Sequence, residues 1–375
     1  MSFPAPTSAR TRRVPIWDNA RAACIVLVVL GHAIQRLTYD SDLALALYFV
    51  VYAFHMPAFA LISGYFSSSD PPTRRQMTRV LTDIVLPYLI FESLWIATIF
   101  LAQGRTNPNL TQPSWTLWFL LALAIFRLVL PYLSLVRWPL AWTLVVSISA
   151  GYLPNVDSTL SLSRTLGLLP FFVLGWWLRH HRILEKYDLL RRRRVSVRVA
   201  AALVLAAAGW AAWFFIAQWK EMNLSQWLFY DENYAEIGAP QWWAGAVRLA
   251  LMLVALLLSV AFFALIPRGE HRWTAIGRYT MYVYLLHSFV LYPFRESGVL
   301  RQLEPTWLWL PTVIFASIVI TVALASAPVR RLFRPLIEPR PGWLFVDPAT
   351  TTRDDRRRDP TGSRRPSDDP PAERA

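Results

Sequence analysis

Charge is the scarcest commodity in this sequence. Only 17% of its 375 residues are Asp, Glu, Lys or Arg, against about a quarter in soluble globular proteins. Hydrophobic residues make up 55%, and the two figures together place the chain in the membrane class. Acid is scarcer than base, with 24 acidic and 38 basic residues and a formal net charge of +14. No basic stripe is interleaved with aromatics on a soluble stretch, so no nucleic-acid partner is expected. The basic residues are instead expected to anchor cytoplasmic loops against anionic lipid. Cysteine is nearly absent. Cys24 stands alone, which excludes an internal disulfide and a thiolate zinc site and leaves a small core side chain. The apolar run after Arg21 has no clear small-residue cleavage site and contains His32. It therefore reads as a retained membrane helix, not a signal peptide.

What the sequence has is long apolar runs. A membrane-crossing helix needs about 20 mostly apolar residues. Candidate spans are residues 22–37, 43–66, 80–101, 115–133, 140–153, 160–178, 199–217, 249–266, 279–294 and 307–327. The expected fold is all-α: a polytopic membrane helix bundle of about ten transmembrane helices, with N- and C-termini cytoplasmic. In that orientation 31 of the 38 basic residues fall on inner segments and seven on outer ones, as the positive-inside rule requires. The expected organisation is a cytoplasmic segment (1–20), a transmembrane domain (21–334) and a cytoplasmic tail (335–375). From Asp347 the tail is rich in Arg, Asp, Pro, Ser and Thr and is expected to be disordered. The Arg191-Arg192-Arg193-Arg194 run reads as an inner-surface anchor, with lipid or nucleotide binding as the alternative. The outer loop 218–245 gathers Trp227, Phe229, Tyr230, Asp231, Glu232, Tyr234, Glu236, Trp242 and Trp243. It reads either as an interfacial aromatic belt or as a surface for a polyhydroxyl ligand.

An ionisable side chain inside a span is costly and marks a functional candidate. His32 lies eleven residues beyond Arg21, about 16 Å further along the helix. His55, Glu92 and His287 fall near the middles of the second, third and ninth spans. Four spans thus carry one titratable group at similar depth. Each alone can be a helix-packing residue. No i,i+4 pairing of the H-E-x-x-H kind is present, so no metal site is expected. Arg21, Arg74, Arg75, Arg79 and Arg127 lie toward the inner side, where they can bind the phosphates of a cytoplasmic donor or simply obey the positive-inside bias.

Several of these residues form ordered motifs. Trp17-Asp18-Asn19-Ala20-Arg21, with ten residues between Arg21 and His32, resembles the R-x10-H motif of the acyltransferase-3 membrane acyltransferases. Phe54-His55-Met56-Pro57 followed by Ser63-Gly64-Tyr65 is similar to the branch related to fucose 4-O-acetylases. Arg79 with Leu86-Pro87-Tyr88, Trp115 with Trp118-Phe119-Leu120, Arg164 with Pro170-Phe171-Phe172 and Gly175, and Gly277-Arg278 through His287 resemble further family elements.

The resemblance implies a ten-helix bundle in the cell membrane. It would take an acyl group from cytoplasmic acyl-CoA, with acetyl-CoA as expected donor, and pass it to a hydroxyl of a carbohydrate or glycosylated small molecule. Acyl transfer to an alcohol needs a base and donors for the developing oxyanion. His32 is the expected general base, with His55 and Glu92 supporting it. Arg21, Arg74, Arg75, Arg79 and Arg127 are expected on the acyl-CoA. Ser63, Tyr65, Trp118, Arg164, Tyr284 and His287 are expected around the acceptor. The competing reading is a secondary transporter of a small polar solute, which predicts repeats and broken helices. Pro57 and Pro170 fit that reading, but no repeat is visible.

Overall fold

Pro15 opens the first helix, α1 (Pro15–Ile34), where its missing N–H costs nothing. The computed structural model describes residues 14–104, 108–186, 195–299 and 306–345. The Arg191–Arg194 run and the tail from residue 346 lie outside the described residues. Among those described, every regular element is helical. Ser41 caps α2 (Asp42–Tyr65) by accepting from the Ala44 amide. Thr73 and Gln76 form a capping box on α3 (Arg74–Val80). A π-helical turn, Leu81–Val85, links α3 to α4 (Leu86–Gln103). Pro87, which cannot donate to the helix ladder, sits just beyond it. Gly104, at φ +66°, ends α4.

The chain continues as α5 (Trp118–Leu133), α6 (Pro139–Ala150), α7 (Leu162–His180), a short α8 (Ile183–Lys186) and α9 (Val195–Phe214). Two six-residue helices, α10 (Ile216–Glu221) and α11 (Leu224–Phe229), fold the first part of the segment between α9 and α12. Then come α12 (Ala244–Leu265), a 3-10 helix (Arg272–Arg278), α13 (Thr280–Glu296), α14 (Thr306–Leu324) and α15 (Ala327–Ile337).

Each of the ten apolar segments contains a helix, but they are not equally long. Among the described residues, six stretches are long and apolar enough to cross a membrane: α1, α2, Arg74–Gln103, Thr159–His180, α9 and α12. A seventh candidate is the pair α14 and α15, bent by 69°. Helices α5, α6 and α13 have 16, 12 and 17 residues. The 12 residues of α6 reach only about 18 Å. Residues 340–375 form a separate unit. Its described part holds one 3-10 turn, Gly342–Leu344.

Contacts at the two ends of the bundle fix helix directions. At one end Asn19 of α1 bonds the carbonyls of Pro267 and Gly269, both at 2.8 Å, and accepts from Thr274 Oγ1 at 2.6 Å. Trp17 stacks on Tyr65 at the end of α2, and Arg179 of α7 lies over the same ring. At the other end Arg36, just past α1, pairs with Glu296 of α13. Helix α2 therefore runs against α1, and α13 runs with it. Asn19 is fully buried. Asn19→Ala strands two carbonyls and a hydroxyl, at about 1–3 kcal/mol each when nothing replaces the partner. We expect a loss near 3 kcal/mol, read as a lowered thermal midpoint of the detergent-solubilised protein.

Helices α2 and α7 approach closely. A Cβ on Gly64 would stand 1.8 Å from the Phe172 carbonyl oxygen, and one on Gly175 would stand 2.0 Å from that of Leu61. Small residues that let backbones meet are the usual means of joining helices in lipid.

Candidate active site

His32 lies in the last turn of α1 and lines a cavity of about 110 Å³. From α2 the walls take Tyr48, Tyr52, His55 and Met56, residues spaced to share one helix face. Trp118 opens α5 and Trp115 lies just before it, Arg164 comes from α7, and Leu228, Phe229 and Tyr230 come from the end of α11. Gly31 makes the α1–α2 contact possible, because a Cβ there would meet the Tyr52 ring at 2.9 Å. The Tyr52 hydroxyl stands 3.5 Å from His32 Nδ1, and the ring packs edge-on to His55 at 4.8 Å. His287 lies 5.4 Å from His32 between ring centroids, and Trp115 lies 5.5 Å away. Three of the four titratable groups expected at one depth thus cluster.

The fourth does not join them. Glu92 is buried, and its two oxygens accept from the Ser114 hydroxyl (2.5 Å) and amide (2.8 Å). It touches the site only through the chain, since Ser114 precedes Trp115. Trp115 holds a left-handed backbone at φ +37°, a conformation that costs a bulky residue energy and needs support. Glu92 is placed to supply that support.

The other expected acceptor-side residues divide. Trp118 and Arg164 line the cavity together, with the guanidinium 5.0 Å from the indole centroid. Arg164 also donates to Asp231 at 2.5 Å, which ties α7 to the segment after α11. Ser63 instead bonds its own helix at Phe59, and Tyr65 stacks on Trp17 at the far end of α2. The Tyr284 hydroxyl donates to the Thr116 carbonyl. His287 is sealed behind His32 and is not a wall of the cavity. Tyr48, Tyr52, Phe229 and Tyr230 were not singled out by sequence as neighbours of His32. Tyr48 and Tyr52 stand one turn apart, with Tyr52 three residues before His55. That spacing is the signal that could have found them. Burial pushes the Tyr230 phenol up to about 12, so it is a neutral donor at neutral pH.

Two further cavities lie along the same helices. An apolar one of about 90 Å³ is walled by Val28 of α1, Met56 and Phe59 of α2, Phe119 and Leu123 of α5, and Tyr284. A larger one of about 280 Å³ is walled by Phe66, Ser67, Gln76, Arg79, Arg127 and Pro131, among others. Arg21 lies over the Phe66 ring at 4.5 Å and pairs with Asp18. Arg74 and Arg75 sit exposed on α3 and do not line this cavity. Read down α2, with the residues that follow it, or down α5, the order is the same: the histidine cavity, the apolar cavity, the basic cavity; α1 lines the first two, with His32 and Val28. Among the described residues no group of His, Cys, Asp and Glu has the arrangement to hold a metal ion.

Comparison with known proteins adds a family. Nodulation protein NolL of Mesorhizobium japonicum is 33% identical over 190 residues, covering 47% of this chain and 49% of that protein. Nodulation protein NolL of Sinorhizobium fredii is 30% identical over 178 residues, covering 43% and 47%. The chain spans about half the length of these curated relatives. No solved structure matches it. The family model described as an acyltransferase domain, acyltransferase-3, matches residues 14–326, which takes in α1 to α14 and all three cavities, and the chain belongs to that family.

Proposed function

We propose that this chain is a cell-membrane O-acyltransferase that moves an acyl group, acetyl in our reading, from cytoplasmic acyl-CoA to a hydroxyl of a carbohydrate or related acceptor. The observation that carries the reading is the file of three cavities. Its basic end, with Arg79 and Arg127 in the wall and Arg21 beside it, suits the phosphates of CoA. The narrow apolar stretch suits the pantetheine arm. Arg21 and His32 are eleven residues apart, about 16 Å along the helix, a length an extended arm can cover. The histidine end suits the reaction. Ten crossings, with the basic cavity on the cytoplasmic side, agree with the 31 of 38 basic residues assigned to inner segments.

His32 takes the proton of the acceptor hydroxyl as it attacks the thioester carbonyl, and returns a proton to the departing thiolate. Tyr52, beside His32, and the indole N–H of Trp115, which is buried and without a hydrogen-bond partner, are the donors offered to the developing oxyanion. Tyr48, Tyr52, Trp118, Phe229 and Tyr230 give the cavity flat faces for a sugar ring. Arg164 and Gln35 supply polar contacts to its hydroxyls. The Phe54-His55-Met56-Pro57 and Ser63-Gly64-Tyr65 motifs favour the branch related to fucose 4-O-acetylases.

The test is to supply labelled acetyl-CoA to membranes containing the chain and identify the labelled product, with His32→Ala as control. Label found only in the control-insensitive background refutes the reading. For the donor end, Arg79→Gln with Arg127→Gln should raise KM for acetyl-CoA by about tenfold or more and leave kcat within about threefold, since uniform binding is what is lost. Initial rates against donor concentration decide this, and an unchanged KM removes the pair from the donor site.

A further inference from the structure

His287 is buried without access to solvent, and its Nδ1 lies 2.7 Å from the Tyr284 carbonyl and 3.1 Å from that of Val283. Two acceptors at one ring nitrogen require that nitrogen to carry the proton. In the neutral ring the other nitrogen, Nε2, is then a bare lone pair. Nε2 has no hydrogen-bond partner in the structure. A buried acceptor left unpaired costs about 1–3 kcal/mol, so a site that keeps one should use it at some stage of its cycle.

The neighbour that gains a proton is His32, whose ring faces His287 at 5.4 Å between centroids. In the reaction proposed above the alcohol O–H bond breaks and His32 becomes an imidazolium with two N–H donors. Its surroundings are cationic, with Arg164 in the cavity wall and Arg295 over Trp115 at 4.6 Å. Three carboxylates at this end are engaged elsewhere: Glu92 with Ser114, Asp231 with Arg164, and Glu296 with Arg36 and Arg295. A carboxylate usually supports a catalytic histidine, and among the described residues none lines the cavity that holds His32.

We infer that His287 takes that place: its Nε2 accepts a hydrogen bond from the His32 imidazolium and holds the ring for both proton transfers. The inference rests on the acyl-transfer reading. The proton of the alcohol passes to His32, the new C–O bond forms as the C–S bond breaks, and the proton leaves with the thiol. His287 ends each cycle unchanged. It is a positioning residue that acts through His32. His55 is less suited. Its Nδ1 is likewise tied to a carbonyl, that of Val51 at 2.8 Å, but the Tyr52 ring packs against it.

His287→Phe fills the space without an acceptor, and His287→Gln restores an oxygen near the Nε2 position. We expect His287→Phe to lower kcat about 10²-fold, within the range for losing part of a general-base assembly, with KM for acetyl-CoA within about threefold. His287→Gln should recover at least about tenfold of that loss. A His287→Phe enzyme within about threefold of the parent, beside an inactive His32→Ala, overturns this inference alone. So does a His287→Gln enzyme as slow as His287→Phe. An active His32→Ala overturns the underlying reading instead. Independent of any variant's folding, 15N spectra of the histidine-labelled parent should report the Nδ1–H tautomer at His287, and an Nε2–H tautomer refutes the assignment.

Discussion

His32→Ala should lower transfer of label from acetyl-CoA by about 10³-fold or more, the range for removing a general base that also orients the reacting group. The protein itself should insert and purify as before. His32 is partly exposed to its cavity and has one weak polar contact, Tyr52 at 3.5 Å, so its removal deletes little packing. Neither neighbouring ring is placed to replace it: His287 does not line the cavity, the Tyr52 ring packs against His55, and both are more deeply buried than His32. The measurement is the labelled-product assay, with a size-exclusion profile in detergent alongside it. A variant that assembles normally and keeps more than a tenth of the parent rate shows that the base is elsewhere.

Helix positions were legible from hydropathy because a run of apolar residues has one outcome in a bilayer: the backbone must satisfy itself. Lengths were less legible. Helix α6 stops at Ala150, and the hydropathic run of the last segment breaks at Ser326 into α15, bent by 69° from α14. The short helices α10 and α11 sit in a loop whose composition reads as interfacial, and nothing in their sequence announces them.

The site was legible in one dimension only. Counting residues from the membrane edge gives depth, and depth correctly grouped His32, His55 and His287. It says nothing about which way a helix face points, and that is why Glu92 was grouped with them. Tyr88, Glu92 and Trp95 share one buried face of α4. From that face Glu92 binds Ser114, and Tyr88 donates to the Leu110 carbonyl. The motif residues show a similar division. In Ser63-Gly64-Tyr65 the hydroxyl bonds its own helix, the glycine admits α7, and the ring stacks on Trp17. Asn19 clamps the loop before the 3-10 helix. These residues hold the bundle in register and stand apart from the cavity that His32 lines.

Gly64→Ala should cost more than about 4 kcal/mol, beyond the ordinary range for a point substitution, and leave little folded protein. The reason is geometric. The added Cβ would lie 1.8 Å from the Phe172 oxygen, 2.7 Å from its carbonyl carbon and 3.1 Å from its Cα. All three are backbone atoms of a helix, so no side-chain rotation relieves the overlap. The two helices must separate, and Gly175 meets the Leu61 carbonyl in the reciprocal contact, so both glycine contacts open together. Phe172, which stacks on Phe126 of α5 at 4.6 Å, is pulled with them. Lipid offers no hydrophobic penalty to hold separated helices together, so close packing is most of what joins them. Gly175→Ala should fail in the same way. Gly209→Ala is the control: nothing stands within 4 Å of its added Cβ, and alanine is the better helix former. Yield of monodisperse protein and thermal midpoint in detergent should fall for the first two variants and hold for the third. A Gly64→Ala protein with the parent's yield and midpoint means that α2 and α7 do not meet through these glycines.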